Sequence, residues 1–260
     1  MENYFSCLLV GPWGSGKSTA AATAPKPVLY LDMDNKLHKM VNLRPMIEKG
    51  DLIQWPITES LSMASLTRLA TLQTKMGAKV VFQRPQGYLK LAEYIERLAA
   101  SKCIIDRGNG KPSVKVATVV LDSYTTTNEH IKRLLLAVNS SVTMTQPLWG
   151  AQLTNFESLN NELLRLPANI IIICHEKLDK DELSGKISYR PLIDGQMSSK
   201  IGKDFEEVYA MQKTVMGGVA KYEMMTIGDN MRACRTSRDL PAIVEPDFGK
   251  IYAKEKEKTN

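Results

Sequence analysis

Phe5-Ser6-Cys7-Leu8-Leu9-Val10-Gly11-Pro12-Trp13-Gly14-Ser15-Gly16-Lys17-Ser18-Thr19 decides the reading of this chain. Phe5 to Val10 is a short apolar run, and Ser18 to Thr23 is rich in alanine, so the order strand, loop, helix is the natural one. Between them, Gly11 to Ser18 fits G-x-x-x-x-G-K-[ST] in full. Multiplying residue frequencies gives a chance match on the order of 1% for a chain of this length. Glycines let backbone N–H groups close around phosphate oxygens, and the helix that follows aims its positive end at the same charge. Gly11, Pro12, Trp13, Gly14, Ser15, Gly16, Lys17, Ser18 and Thr19 are therefore the expected nucleotide-binding residues. Lys17 is expected to reach the β- and γ-phosphates, and the Ser18 hydroxyl to ligate Mg²⁺.

Outward from this loop, other apolar runs end in acidic or polar residues. Val116 to Leu121 ends in Asp122, the expected carboxylate on the metal side. Val28 to Leu31 ends in Asp32-Met33-Asp34, whose i, i+2 spacing in an extended segment points both carboxylates one way; either faces the γ-phosphate, or Asp34-Asn35 caps the next helix. Ile170 to Ile173 reads as a strand buried on both faces and leads to His175, a candidate γ-phosphate sensor, with Glu176 beside it competing to orient water. Catalytic duty is thus expected of Lys17, Asp34, His175 and Glu176.

Helical periodicity marks Ser60 to Met76, Tyr88 to Ala99 and Leu153 to Leu166, the last stopped by Pro167. Val208 to Val215 and Val219 to Ile227 flank Gly217-Gly218, a hairpin signal. The fold class is α/β: a mostly parallel central sheet flanked by helices, with antiparallel strands added at the C-terminal edge. One domain is expected over residues 1–250, with 251–260 a charged, solvated tail.

Composition sets the outer bounds. The chain has 260 residues, 43% hydrophobic and 24% charged, ordinary for a soluble domain. Lys and Arg number 34 against 28 Asp and Glu, a net +6, and the segment from Lys75 to Lys115 alone carries that excess with nine basic residues against three acidic. Such a belt permits a polyanionic partner, and reads equally as a solvated helix surface. Cys7, Cys103, Cys174 and Cys234 lie far apart, as expected of reduced core residues in a cytoplasmic protein. No apolar stretch approaches the ~20 residues of a membrane helix, so no membrane partner is expected.

Taken in order, the P-loop, Leu31-Asp32-Met33-Asp34-Asn35, Leu121-Asp122-Ser123 and Ile173-Cys174-His175-Glu176-Lys177 resemble the RecA-like P-loop ATPases, and among them the short phage-encoded ATPases of single-strand annealing and recombination. Arg190-Pro191, Asp194-Gly195, Phe205 to Tyr209 and Arg235 to Arg238 with Pro241 extend the resemblance over residues 5–250. It implies a RecA-like core and an ATPase using ATP and Mg²⁺, stimulated by single-stranded DNA. Asp34 falls where the class keeps a water-activating carboxylate, usually the longer Glu. The stretch after His175 matches a DNA-binding loop, which makes Lys177, Lys180, Lys186, Arg190, Lys200 and Lys203 its expected phosphate contacts. Arg235 and Arg238 fall near residues that reach a neighbouring subunit's nucleotide, implying a homo-oligomer, ring or filament. The P-loop starts at residue 11 with no polymerising segment before it, so a filament does not follow from the resemblance. A single-strand DNA-binding protein is a further implied partner. A helicase or packaging motor, an ATP-gated adaptor and a small-molecule kinase are the alternative readings.

Overall fold

The computed structural model describes residues 4–58, 85–108, 110–182 and 185–252. The helix expected over 60–76, the basic residues Lys75, Lys79 and Arg84, and Phe82 lie outside the described residues.

The P-loop strand β1 (Ser6–Gly11) lies at the middle of a nine-stranded sheet. On one side it pairs in parallel with β7 (Asn169–Lys180), Gly11 opposite His175; on the other it pairs in parallel with β9 (Glu207–Met216). Beyond β7 lie β6 (Thr118–Asp122), β2 (Val28–Asp32) and β3 (Leu52–Pro56), all parallel. Beyond β9 the sheet turns antiparallel with β10 (Val219–Met225) and β11 (Ile243–Val244). The β9–β10 turn is Gly217-Gly218, both at positive φ, as a two-residue hairpin requires. A separate two-stranded ribbon pairs β4 (Ile104–Ile105) with β5 (Val114–Lys115).

Alternation along the inner strands explains why both faces are covered. Leu8, Leu29, Leu31, Val119, Leu121, Ile170 and Ile172 enter one buried cluster, with α3 (Gly87–Ala100), α4 (Tyr124–Val138) and α5 (Gln146–Leu164) over it. Cys7, Leu9, Val28, Tyr30, Val120, Ile171 and Ile173 enter the other, beneath α1 (Lys17–Ala22), with α2 (Arg44–Lys49) at its margin. Strands buried on both faces read as the unbroken apolar runs seen in the sequence.

Three expectations are corrected. The strand after Pro167 does not stop at Ile173 but runs to Lys180, where β8 (Ile187–Pro191) folds back on it from Lys180 opposite Ile187 to Glu176 opposite Pro191. The polar segment 177–203 is therefore largely a hairpin followed by the short helix α6 (Met197–Lys200), because backbone pairing holds polar strands that hydrophobic pattern does not reveal. The chain end is docked further than its charge pattern indicates: Ile251 and Tyr252 are buried, and the Tyr252 ring stacks 3.5 Å from Phe5. Residues 253–260 lie outside the described residues. In the described part of the basic belt, Arg97 lies over the Trp55 ring at 5.3 Å and Lys90 over Tyr94 at 5.5 Å. Among the described residues no helix is long and apolar enough to cross a membrane.

Candidate nucleotide site

Parallel pairing brings the carboxyl ends of β1, β6 and β2 into one row with the middle of β7, with Gly11 beside His175, Asp122 beside Ile173, and Asp32 beside Asp122. Ligands of open α/β sheets gather at such an edge. A cleft of 680 Å³ opens there, lined by the P-loop together with Asp34, Asp122 and His175.

The loop has its shape for steric reasons. A Cβ on Gly11 would sit 2.6 Å from the Met211 carbonyl oxygen, so only glycine lets β1 run this close to β9. Gly16 has φ +86°, a left-handed conformation that starts α1 and that a side chain would strain. The Ser15 hydroxyl donates to the Pro12 carbonyl at 2.8 Å, closing the turn. Lys17 lies back into the loop, its Nζ donating to the carbonyls of Gly11 at 2.8 Å and Pro12 at 2.7 Å, and 3.4 Å from His175 Nδ1. Burial lowers its pKa to about 8, against the pull of Asp122 and other acidic neighbours. Trp13, at the crest of the loop, is 87% exposed.

Ser18 Oγ donates to Asp122 Oδ2 at 2.6 Å. Burial pushes Asp122 up to about 6; the Ser18 bond opposes this, and the charges of Asp34 and Asp32 add to it. A hydroxyl and a buried carboxylate held together by a proton, with excess acidic charge around them, form a donor pair that suits Mg²⁺, which binds through a few protein oxygens and otherwise through phosphate and water. Thr19, the next residue, accepts a hydrogen bond from Asn42 at 3.1 Å.

Asp32 and Asp34 do not point the same way. β2 ends at Asp32, and Asn35 takes φ +50°, so strand alternation no longer governs the second carboxylate. Asp32 is buried, accepting from the Leu37 N–H at 2.9 Å and from Gln54 at 2.7 Å; it, rather than Asp34-Asn35, caps the next turn. Asp34 reaches the cleft, held by the Thr126 hydroxyl and by Lys36 at 2.9 Å. His175 receives support from α4, its N–H donating to Thr125 Oγ1 at 3.0 Å. Burial, and then Lys17, lower the pKa of its imidazole below the usual value.

Glu176 is not in the cleft. Arg232 grips it with two bonds of 3.2 and 3.0 Å and stacks over Tyr189 at 4.1 Å, which removes Glu176 from the candidates for orienting water. The arginines expected at a subunit boundary are both engaged by their own chain, Arg238 half-buried and Arg235 exposed. Arg238 lies 3.5 Å from Glu207 and over the Tyr252 ring, and Arg235 donates to the carbonyls of Phe205 and Lys203. The six expected DNA contacts divide. Arg190 pairs with Asp179 at 3.0 Å, Lys203 approaches Asp204 at 4.0 Å, and Lys180 and Lys186 are exposed on the hairpin. Lys177 donates to the Ile193 carbonyl and Lys200 to Gln196.

Several site residues escaped the sequence reading. Thr125 and Thr126 had a signal, being two hydroxyls in the first turn of the helix that follows a strand ending in Asp122. Met40, Asn42, Tyr222 and Pro246 line the far end of the cleft from three separate parts of the chain, and no local pattern marks them.

A phosphate loop on a central parallel strand, a hydroxyl–carboxylate pair beside it, and a polar residue on the strand inserted between β1 and β6 define a RecA-like P-loop ATPase. The AAA domain family model matches residues 3–235, and the chain belongs to that family. No curated protein matches it. Among solved structures, the KaiC-like protein PH0186 of Pyrococcus horikoshii OT3 is similar at 13% identity and TM-score 0.44, covering 90% of this chain and 82% of that one. The flagellar accessory protein FlaH of Methanocaldococcus jannaschii is similar at 12% and 0.42, covering 94% and 87%. Both likenesses are loose, and the family assignment does not depend on them.

Proposed function

We propose that the protein binds ATP with Mg²⁺ in this cleft, hydrolyses it, and uses the bound nucleotide to set the affinity of segment 177–203 for single-stranded DNA, assisting annealing or strand exchange in phage recombination. One observation carries the reading. His175 faces the P-loop lysine with its ring, 3.4 Å from Nζ, while its backbone carbonyl accepts the Leu192 N–H at 2.7 Å, the first residue after the β7–β8 hairpin. A phosphate arriving at Lys17 therefore acts on a residue bonded to the segment that carries the lysines.

Each side chain has a distinct task. The P-loop N–H groups hold phosphate oxygens, and Lys17 exchanges the carbonyls of Gly11 and Pro12 for them. Ser18 and Asp122 hold the metal, which neutralises phosphate charge when bound. Asp34, fixed by Thr126, orients and deprotonates the attacking water. His175, its pKa lowered by burial, is neutral at pH 7 and donates one N–H toward the γ-phosphate. Assembly into a homo-oligomer and hand-over from a single-strand DNA-binding protein belong to the same proposal, with Arg238 excluded as the bridging residue.

A second reading, an ATP-gated adaptor without turnover, draws on the Lys36–Asp34 pair, which neutralises the candidate base. ATP turnover measured with and without single-stranded DNA decides between them. Turnover that rises with DNA is expected. Multiple turnover indifferent to DNA overturns the DNA role, and no turnover at all favours the adaptor.

A further inference from the structure

A second cavity, of 320 Å³, lies between the first turns of α5 and the turn after β8. Trp149 and Leu153 of α5 and Met197 at the start of α6 give it apolar walls, and Gln152, Asp194 and Gln196 supply polar groups. Gln152 is buried and donates to Asn128, which in turn donates to Asp194 at 2.9 Å, so the polar groups are held in place by their own bonds. Three lysines converge on the turn that forms the rim. Lys132 bonds Asp194 at 2.7 Å, Lys177 the Ile193 carbonyl at 3.2 Å, and Lys200 Gln196 at 2.7 Å. The rim begins at Leu192, the residue bonded to His175.

The chemistry of this cavity is selective. An apolar peptide side chain would leave Gln152 and Asp194 facing hydrocarbon, at a cost in desolvation. A nucleobase matches it instead, with a flat face for an indole, an edge of donors and acceptors for amides and a carboxylate, and phosphates outside for ammonium groups. The volume suits one base rather than a folded partner.

We propose that this cavity receives one base of a single DNA strand, stacked on Trp149, with the flanking phosphates on Lys132, Lys177 and Lys200. The inference rests on the single-strand DNA reading and gives it a specific pocket, one that the sequence does not single out.

The test uses the full chain carrying 5-fluorotryptophan, whose three tryptophans give separate ¹⁹F signals, with that of Trp149 assigned from Trp149→Phe. On addition of a short oligo-dT strand the Trp149 signal is expected to shift saturably. Trp149→Ala is expected to weaken strand binding about tenfold, the scale of one lost stacking contact. It should leave the slope of log affinity against log salt unchanged, because no phosphate contact is removed; Lys200→Ala should lower that slope. If Trp149→Ala does not fold, the shift in the parent protein decides alone. A strand that binds by fluorescence anisotropy while the Trp149 signal stays put overturns the pocket and spares the DNA reading. A shift produced equally by free dTMP assigns the cavity to a mononucleotide and overturns the proposal. Failure of any strand to bind removes the DNA reading, and the pocket with it.

Discussion

The nucleotide cleft and the strip where residues 232–238 meet β7 and β9 both bury charge, and they treat it in opposite ways. In the cleft the groups are pushed toward neutrality: burial raises Asp122 and lowers Lys17 and His175. Along the strip they are held charged. Glu207 is 0% exposed, yet bonds from Ser237, Tyr209 and Thr236 outweigh its burial and keep its carboxyl below the usual range. Arg232 is raised, first through its bonds to Glu176. Charges answered within the chain hold the fold together, whereas charges left poorly answered at a cleft await a ligand.

The largest test of this contrast is Lys17→Ala. Turnover should fall roughly a hundred- to a thousandfold, the scale of losing one group that stabilises transition-state charge. The nucleotide-free protein should nonetheless melt no lower than the parent, because the lost ammonium was disfavoured where it lay. A lower melting temperature would place Lys17 among the structural charges.

Glu207→Ala should do the reverse, lowering the free energy of urea unfolding by about 3 kcal/mol, since Arg238 and three hydroxyls lose their buried acceptor. Specific turnover of the folded fraction should hold. Glu207 has a depressed pKa in the folded state, so its contribution is present above the unfolded value and is lost as pH falls through the folded one.

Asp34→Asn should slow turnover about a hundredfold and leave ATP binding within a few-fold, with Glu176→Gln turning over like the parent. Equal turnover in Asp34→Asn would move the water-orienting role elsewhere. Asp122→Asn should abolish Mg²⁺-dependent turnover; its effect on the nucleotide-free protein is opposite in sign to that of Glu207→Ala, a gain in stability at pH 7. The sign follows from linkage: the folded carboxyl, at about 6, binds its proton more tightly than the unfolded one. It therefore makes stability fall as pH rises from about 4 to about 6, and thermal melts across that window should show the slope in the parent and not in Asp122→Asn.

Much of this architecture was legible. The P-loop, the apolar runs of β1, β2, β6 and β7, the periodicity of α3 and the Gly217-Gly218 hairpin are local signals, each settled by residues within a turn or a strand of one another. Asp122 ends its strand as its apolar run indicates, a local feature as well, whereas His175 lies within a strand that continues to Lys180. Legibility failed where a side chain had two partners to choose from. Glu176 and Asp34 look alike as candidate bases, and only the approach of Arg232, 56 residues away in sequence, removes the first. Arg238 looks outward-facing until Glu207 is seen beneath it, while Arg235 stays exposed even as it bonds the Phe205 carbonyl.

From its sequence alone this protein is determined to carry a strand-loop-helix phosphate-loop motif on an α/β sheet, because backbone conformation and hydrophobic period act over a few residues. The tertiary structure alone decided which acids face the cleft, which are locked in ion pairs, and where a Trp149 cavity opens beside the lysines. Those outcomes depend on contacts between segments far apart in the chain, and no local pattern encodes the choice among partners that only folding brings within reach.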